Sequence, residues 1–324
     1  MNKVISFGEA LIDFIPTENG LPLSQVEQFK RAPGGAPANV AVAVAKLGGN
    51  SYFAGKVGDD AFGHFLESVF QEHGVHTDYL LFTKEAKTAL AFVSLRQDGE
   101  RDFLFYRNPS ADMLISPEEM DRSWFKDVGI FHFGSITLTH PLSEAATLQG
   151  VLLAKEADSL VSFDPNLRFS LWPSPEEART KVTPLFVSTD ILKVGEEELH
   201  FLLETDDEQE AIQHLLGLGI SLVIVTKGRE GCSYYTPRLA GNVPVLPVDA
   251  IDTTGAGDAF VGGLLYQLAT LQITKSTIQT LSDNQERLES VLRFANACGA
   301  ITTTGRGAIP SLPTLEKVQQ YLQS

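Results

Sequence analysis

The run from Asp252 to Phe260, Asp-Thr-Thr-Gly-Ala-Gly-Asp-Ala-Phe, holds the residues of this chain best suited to chemistry. Its two glycines stand just before a segment with helical spacing. Backbone N–H groups at such a position can point at an anion, and the helix dipole adds to the attraction. Asp258 falls at the start of the predicted helix. The run is therefore typical of a phosphate-binding loop that also contains a carboxylate.

Phosphoryl transfer to a hydroxyl group would use both parts of this run. Asp258, which the helix start should keep ionised, would accept the hydroxyl proton as the new P–O bond forms. The backbone N–H groups of Gly255, Ala256 and Gly257 would stabilise charge on the transferred phosphoryl group. An ordinary loop with an N-capping aspartate has the same pattern, so the run alone does not decide between the two interpretations.

The familiar nucleotide-binding loops are absent from the sequence. The spacing GxxxxGK[ST] occurs nowhere, which excludes a phosphate loop of the Walker type. No GxGxxG motif follows an N-terminal strand, which disfavours a dinucleotide-binding fold. A second glycine motif does occur far upstream, in the run Arg-Ala-Pro-Gly-Gly-Ala-Pro-Ala-Asn-Val-Ala from Arg31 to Ala41, where it opens another predicted helix.

The elements that must position these motifs follow an α/β pattern. Short apolar runs alternate with longer segments of helical period, as in a parallel sheet covered by helices on both faces. The clearest helix prediction spans 61–73, and Gly74 ends it. The predicted strands are Val4 to Gly8, Ile130 to Phe133, Leu160 to Asp164, Ile191 to Val194 and Leu222 to Thr226.

One region departs from this alternation of strands and helices. Two β-rich segments, 89–95 and 102–107, flank Gln97-Asp98-Gly99-Glu100, and Asp-Gly suits a hairpin turn that needs positive φ. Because no linker-like tract divides the chain, we expect a single domain. The hairpin and the extended segment after Ile12 are predicted to form a small sheet that acts as a lid. The expected organisation is one domain over 1–324 with a lid formed by about 12–31 and 88–108.

Composition excludes several classes of protein. The 324 residues carry a net charge of -16 without a local basic stripe, so nucleic acid is not an expected partner. No apolar run approaches the roughly 18 residues of a membrane span, and the N-terminus lacks a signal-peptide pattern. No membrane association and a cytoplasmic location are therefore expected. Cys232 and Cys298 form neither a disulfide framework nor a CxxC pair.

Both glycine motifs carry a resemblance to a known family. The run ending at Asp258 resembles the C-terminal signature of the ribokinase-like (PfkB) carbohydrate kinases, and 31–41 resembles their N-terminal Gly-Gly motif. The resemblance covers essentially the whole chain and is strongest to the fructokinases, including the plant-type ones. Further segments that carry it are Phe105 to Asp112, Phe131 to Ser135, Phe163 to Arg168, Leu171 to Ser174 and Thr226 to Cys232.

This resemblance implies a fold and a way of excluding water. The fold would be a ribokinase-like three-layer α/β/α sandwich with a mostly parallel central sheet and a small β-sheet lid that closes over the sugar. Closure matters because water in an open site would compete as the phosphoryl acceptor.

The resemblance also implies a sugar site. Asp13 matches the family aspartate that hydrogen-bonds sugar hydroxyls, and Gly34, Gly35 and Asn39 match its partners. A strand-end cap is the alternative interpretation of Asp13. Arg107 and Arg168 resemble positions near the substrate, where an arginine would hold hydroxyls, a carboxylate or phosphate oxygens. A structural ion pair is the alternative for each arginine.

The nucleotide and ion sites are implied in the same way, with one departure from the family pattern. The family's Asn-x-x-Glu reads Gly195-Glu196-Glu197-Glu198 here, so the glutamate is kept and the asparagine is not. Glu198 would then act on Mg²⁺ through water, unless it belongs only to an acidic helix start. The expected ATP-binding residues are Lys193, Glu198, Thr226, Gly228, Gly231 and Asn296. The expected K⁺ site comprises Asp252, Thr254, Thr302, Gly305, Gly307 and Ser311.

The expected reaction is D-fructose plus ATP giving D-fructose 6-phosphate and ADP, with Asp258 as catalytic base. Other members of the family that share both glycine motifs suggest two alternatives, a 2-keto-3-deoxygluconate kinase and a riboside kinase. An acid substrate would need a cation, and Arg168 is available. A non-catalytic sugar- or partner-binding homologue should have lost the base or the glycines, and both are present. The exposed lid sheet further suggests a homodimer.

Overall fold

The computed structural model describes residues 1–18, 20–95 and 101–323. The strands are β1 Lys3–Phe7, β2 Leu11–Pro16, β3 Phe29–Gly34, β4 Asn50–Gly58, β5 His76–Thr83, β6 Ala89–Leu95, β7 Arg101–Tyr106, β8 Val128–Gly134, β9 Leu160–Asp164, β10 Ile191–Gly195, β11 Leu222–Thr226, β12 Cys232–Tyr235 and β13 Ala240–Val243. The α-helices are α1 Ala36–Lys46, α2 Ala61–Glu72, α3 Pro141–Glu156, α4 Pro175–Val182, α5 Glu196–Leu203, α6 Glu208–Gly217, α7 Ala256–Thr270, α8 Ile278–Ser282, α9 Gln285–Thr303, α10 Ala308–Ser311 and α11 Leu315–Gln323.

Across the described residues, nine strands form one large sheet in the order β13-β12-β11-β10-β9-β8-β1-β4-β5. The pairs from β11 through β5 are parallel, and β12 and β13 continue the sheet antiparallel. The five strands predicted from apolar runs correspond to β1, β8, β9, β10 and β11, which are the buried centre of this sheet. Their carboxyl ends lie at one edge, where ligands of open α/β sheets bind.

Helices cover both faces of the large sheet, which gives the predicted three layers. Apolar side chains of α3, α4, α5 and α6 pack on one face, together with Phe131, Phe133 and Phe163 of the strands. Helices α1, α7, α8 and α9 pack on the other face, and α2, α10 and α11 extend that layer. The predicted helix over 61–73 corresponds to α2, which Asp60 caps by accepting the N–H groups of Phe62 and Gly63.

Four strands form a separate small sheet in the order β3-β2-β6-β7. The predicted sheet from the extended segment and the hairpin is thus confirmed, while the predicted turn Gln97 to Glu100 lies outside the described residues. An aromatic cluster supports the sheet: Phe14 stacks on Phe92 with centroids 4.8 Å apart and meets Phe62 of α2 edge-on at 6.1 Å. The small sheet is therefore packed against α2.

The chain passes between the two sheets at two neighbouring places. Residues 8–10 connect β1 of the large sheet to β2 of the small one, and Gly35 connects β3 to α1. Gly35 has φ of +106°, and a Cβ atom there would overlap the carbonyl oxygen of Glu9. These junctions bring the N-terminal glycine motif to the carboxyl edge of the large sheet. No helix in the described part of the chain is long and apolar enough to cross a membrane.

Candidate active site

Asp258 lies in the first turn of α7, and two amide side chains hold its carboxylate. Nδ2 of Asn39, from α1, donates to Oδ2 at 2.8 Å, and Nδ2 of Asn166, from the loop after β9, donates to Oδ1 at 3.3 Å. Asp258 is 8% exposed and Asn39 is 6% exposed. The other amide atom of Asn39, Oδ1, is buried without a hydrogen-bond partner among the described residues. Asn39 was expected to contact sugar, and the structure places it against the catalytic candidate.

The loop that supplies Asn166 is fixed on both sides. Asn166 adopts a left-handed conformation with φ of +43°. The carbonyl of Pro165 accepts the N–H of Ser135 at 3.1 Å, and the N–H of Leu167 donates to Oε1 of Glu198 at 2.7 Å. Backbone contacts before and after Asn166 therefore hold its amide toward Asp258.

Burial changes the acidity of Asp258. Desolvation raises its pKa to about 6, and the neighbouring Asp164 also raises it, whereas Asn39, Arg168 and Lys193 act in the opposite direction. The helix start was expected to keep this carboxyl ionised, and loss of water opposes that effect without abolishing it at neutral pH. The carboxylate form prevails only above about pH 6.

Lys193, in the middle of β10, and Asp164, at the end of the neighbouring β9, form a buried ion pair. Nζ of Lys193 lies 3.1 Å from Oδ2 and 3.3 Å from Oδ1 of Asp164. Burial lowers the pKa of Lys193, but the carboxylates of Asp164, Glu198 and Asp258 raise it above its ordinary value, so Lys193 is a cation. A Cβ atom on Gly257 would lie 3.4 Å from the ammonium nitrogen. The charge of Lys193 therefore lies beside the first turn of α7.

The loop before α7 has the features of an anion site. Gly255 is in the left-handed region with φ of +77°, which lets the chain turn into the helix. The N–H of Ala256 donates to the carbonyl of Thr253 at 3.2 Å. The N–H groups of Gly257 and Asp258 follow in the first turn, where a helix has no internal acceptor for them. Of the three donors named from the sequence, the N–H of Gly257 is therefore best placed for an anion, and the N–H of Asp258 lies beside it in the same turn.

A cavity of about 460 Å³ opens from this turn. It is largely apolar, with a few polar groups at its walls, as nucleotide and other small-ligand sites usually are. Asn296 is held there because its Nδ2 donates to the carbonyl of Val243 at 2.8 Å. Of the predicted nucleotide residues, four line the cavity, Thr226, Gly228, Gly231 and Asn296, whereas Lys193 and Glu198 do not. Ala256 and Gly257 of the predicted anion site also line it.

Glu198 is occupied by backbone contacts. Its Oε2 accepts the N–H of Gly195 at 2.9 Å, which caps α5, and its Oε1 accepts the N–H of Leu167. Both oxygens retain a second lone pair for water. In the part of the chain that the structure describes, no group of three or more His, Cys, Asp or Glu side chains is placed to hold a metal ion. Glu198 therefore fits an indirect role near a Mg²⁺ ion held by nucleotide phosphates and water, and not membership of an all-protein cage.

Of the residues expected on the sugar side, Asp13 and Gly34 lie together at the junction of the two sheets. A Cβ atom on Gly34 would overlap Oδ2 of Asp13, so the glycine makes room for that carboxylate. Arg107 is buried and pairs with Asp112, whose Oδ2 accepts Nη2 at 2.5 Å and Nε at 3.0 Å. This is the ion-pair alternative considered for Arg107. Arg168 is half-buried, and its charge is felt by Asp258.

The tail motif packs against the loop that precedes α7. The backbone N–H groups of Ile251 and Asp252 both donate to the carbonyl of Thr303, at 2.7 and 3.1 Å. Oδ2 of Asp252 accepts the N–H of Gly307 at 2.9 Å, and its Oδ1 accepts both the N–H and the hydroxyl of Thr254. A Cβ atom on Gly305 would overlap Oγ of Ser311, and Oγ1 of Thr302 donates to the carbonyl of Cys298. The predicted K⁺ residues are thus brought together in an oxygen-rich region.

Three acidic or amide side chains of the site were not assigned roles from sequence: Asn166, Asp164 and Glu9. Asn166 and Asp164 lie inside 163–168, one of the segments that carry the family resemblance. The run Asp-Pro-Asn at the end of a predicted strand could therefore have indicated both as site residues. Glu9 stands two residues after the end of β1, and a charged residue there was equally visible. Their contacts join distant parts of the chain, which spacing along the sequence does not reveal.

Comparisons with known proteins show what this chain as a whole is similar to. Residues 1–315 match the pfkB family of carbohydrate kinases. A probable fructokinase-3 of Arabidopsis thaliana is 51% identical over 99% of this chain and 91% of its own length. A fructokinase-2 of Solanum lycopersicum is 48% identical over 99% of this chain and 96% of its own.

Solved structures give the same result. A fructokinase from Xylella fastidiosa with bound ATP superposes with a TM-score of 0.91 and 40% identity, covering 100% of this chain and 99% of its own. A fructokinase double mutant from Vibrio cholerae with fructose, ADP and potassium ion bound has a TM-score of 0.88 and 37% identity, over 99% and 98% of the two chains. Aminoimidazole riboside kinase from Salmonella enterica has a TM-score of 0.84 and 33% identity, over 100% of both chains.

Proposed function

This chain belongs to the pfkB family of carbohydrate kinases, and we propose that it is a fructokinase that transfers the γ-phosphoryl group of ATP to the 6-hydroxyl of D-fructose. The observation that carries the proposal is the position of Asp258, a buried carboxylate at a helix start, directly beside a cavity of nucleotide size. Fructokinases that bind fructose and ADP or ATP share the fold over nearly the whole chain.

Asp258 acts as the general base. The amides of Asn39 and Asn166 hold its carboxylate in one orientation, and its proton affinity suits the task. With a pKa of about 6, the group is a carboxylate at neutral pH but takes up a proton more readily than an ordinary aspartate. As the sugar oxygen bonds to the γ-phosphorus, the hydroxyl proton passes to Asp258 and the bond to the β-phosphate oxygen breaks.

Positive charge on the phosphate side comes from the start of α7 and from Lys193. The N–H groups of Gly257 and Asp258, with the helix dipole, would face the transferred phosphoryl group. Lys193 lies next to Gly257 and would add a full charge there. The adenosine part of ATP would occupy the cavity, with Thr226, Gly228, Gly231 and Asn296 at its walls.

The sugar would bind where the two sheets meet. Asp13, Gly34, Gly35 and Asn39 would contact its hydroxyls, and the orphan Oδ1 of Asn39 offers a buried acceptor. The small sheet would then serve as the lid of the single domain and exclude water. Arg168 would contact the substrate, while Arg107 would act through its pairing with Asp112.

Two metal ions fit the residues present. Glu198 would meet Mg²⁺ through water, and the ion would neutralise charge on the phosphates. The oxygens around Asp252, Thr254, Thr302, Gly305, Gly307 and Ser311 suit K⁺, which would orient the dipoles of the neighbouring loop. A potassium ion accompanies fructose and ADP in the Vibrio relative.

A homodimer through the lid is the proposed assembly. Strand β7 is an edge of the small sheet, and its Leu104 and Tyr106 are 47% and 60% exposed. Sedimentation velocity should give a dimer, and a monomer at micromolar concentration would remove this part of the proposal.

The cytoplasm is the proposed location, and the buried free thiols of Cys232 and Cys298 are compatible with it.

A riboside kinase is the second candidate, because a riboside kinase shares the fold and 33% identity over the full chain. Coupled ADP release should be measured with D-fructose, ribose, an aminoimidazole riboside and 2-keto-3-deoxygluconate. The proposal predicts that fructose gives the highest kcat/KM and that ³¹P NMR finds the product phosphate on the 6-oxygen. Rapid turnover with another of these compounds and none with fructose would show that the other compound is the substrate. No turnover with any of the four would favour a non-catalytic binding protein.

A further inference from the structure

Glu9 is a buried carboxyl group that the proposed mechanism does not use. It lies between β1 and β2, where the chain passes from the large sheet to the small one, and is 1% exposed. Its Oε1 accepts the N–H of Ala36 at 2.9 Å, at the first residue of α1. Its Oε2 is equally buried and has no hydrogen-bond partner among the described residues. An unmatched buried carboxyl oxygen is costly, so its presence needs an explanation.

The contacts of Glu9 fix the N-terminal glycine motif. Besides the side-chain contact to Ala36, the carbonyl of Glu9 lies so close to Gly35 that no side chain fits at that position. One turn further along α1, Asn39 donates to Asp258. Glu9 therefore determines where α1 begins, and with it the position of an amide that touches the catalytic carboxylate.

The charges near Glu9 come from the end of the small sheet. Burial is the largest influence and raises its pKa to about 7; Arg107 lowers the pKa and Asp112 raises it. Arg107 follows β7 and is paired with Asp112, so its charge acts on two carboxyl groups, that of Asp112 directly and that of Glu9 through space. Loss of the proton from Glu9 would strengthen the attraction between the junction and Arg107.

We propose that Glu9 is a positioning residue for the sugar, whose carboxylate holds the start of α1 on one side and attracts Arg107 of the lid on the other. The inference rests on the proposed function, since the ligand concerned is the sugar. Glu9 acts on sugar binding and not on ATP, because the nucleotide cavity is lined by other segments, from Thr226 to Thr303. The neutral form, populated below about pH 7, holds Arg107 less well, so sugar affinity falls as the pH is lowered.

The first test is Glu9→Gln, which keeps the shape and an acceptor for Ala36 but removes the charge. KM for fructose should rise about tenfold or more, with kcat and KM for ATP changed less than about threefold. The matched control is Asp190→Asn: Asp190 is also largely buried and accepts a backbone N–H, from Val161 at 2.8 Å, but lies at the opposite edge of the sheet. It should leave both KM values unchanged. The proposal would be overturned if the KM for fructose of the Glu9→Gln enzyme equals that of the unchanged protein.

The second test needs no turnover and separates Glu9 from Asp258, which titrates nearby. Fructose binding to the Asp258→Asn protein is measured by calorimetry between pH 5.5 and 8.5, a range set around the pKa of about 7. Affinity should weaken at least severalfold as the pH falls through about 7, and adding Glu9→Gln should make the profile flat. A flat profile with Glu9 present would overturn the proposal. If that profile is flat but the unchanged enzyme still phosphorylates fructose, the proposal for Glu9 fails and the fructokinase assignment stands.

Discussion

At the residue scale, the account depends on how the carboxylate of Asp258 is held and how its charge is balanced. Two neutral amides donate to its oxygens, while Lys193 and Arg168 supply positive charge and Asp164 opposes them. Neutral donors suit a catalytic base, because they orient it without the strong stabilisation of the anion that a direct ion pair would give. One of the two cations, Lys193, is instead paired with Asp164.

Asn166→Gly tests the role of the second amide. Glycine accepts the φ of +43° at this position, so the backbone is kept and only the donor to Asp258 is lost. We expect kcat to fall about tenfold and the pKa of Asp258 to rise. Since the carboxylate is the active form, the acid limb of the pH–rate profile should move from about pH 6 to higher pH.

The matched control is Gln272→Gly, which also replaces a left-handed residue, with φ of +53°, beyond the end of α7. Its kcat and acid limb should equal those of the unchanged enzyme. An Asn166→Gly enzyme whose acid limb stays in place would show that Asn166 does not act on the catalytic carboxyl.

At the element scale, the central strands could be predicted and the edge strands could not. Buried parallel strands such as β9 and β11 are short apolar runs, which the sequence displays directly. The antiparallel strands β12 and β13 have four residues each, too few for a periodic pattern, and β4 and β5 were missed as well. The hairpin β6–β7 was predicted because the Asp-Gly turn residues and the β-rich segments on either side of them both indicate a hairpin.

The site, like the fold, has parts that could be predicted from the sequence and parts that could not. The loop before α7 could be predicted because glycine, aspartate and a helical run are adjacent in the chain. The contacts of Asp258 could not, since Asn39 and Asn166 are 219 and 92 positions away. Only the folded strand ends bring these amides to one carboxylate.

Gly255→Ala tests the start of α7 as an element. Gly255 has φ of +77°, and a Cβ atom would lie 2.6 Å from Cβ of Ala308 in α10, so the loop and the tail must separate. Displacement of the N–H donors should lower kcat by on the order of 100-fold. Gly74→Ala is the control, because φ is +78° and nothing lies within 4 Å.

Steady-state kinetics and thermal unfolding should distinguish the two glycine variants. Gly74→Ala should lose about 1 kcal/mol of stability and no activity, since it carries only the backbone strain. Equal kcat for the two variants would contradict an anion site at the Gly255 turn.

At the scale of the whole molecule, the proposed sugar site lies where the two sheets meet, the proposed nucleotide site is the cavity beside α7, and Asp258 would stand between the two ligands. Binding at either site should stabilise the fold independently of catalysis. At about 100 times the dissociation constant, ATP or fructose should each add roughly 2.7 kcal/mol to the free energy of unfolding. Asp258→Asn should keep both effects, as measured by thermal unfolding. Loss of stabilisation by both ligands in this variant would mean that Asp258 organises the sites instead of acting as a base.

The central claim is that Asp258 is the base of a fructokinase, and the most direct measurement is fructose-dependent ADP release by the unchanged enzyme and by Asp258→Asn in parallel at pH 7.5, above the pKa of about 6. The account predicts rapid turnover by the unchanged enzyme and a kcat lower by roughly 10² to 10⁴ in the variant, with KM for fructose and ATP nearly unchanged. A variant that retains most of its kcat would contradict the account.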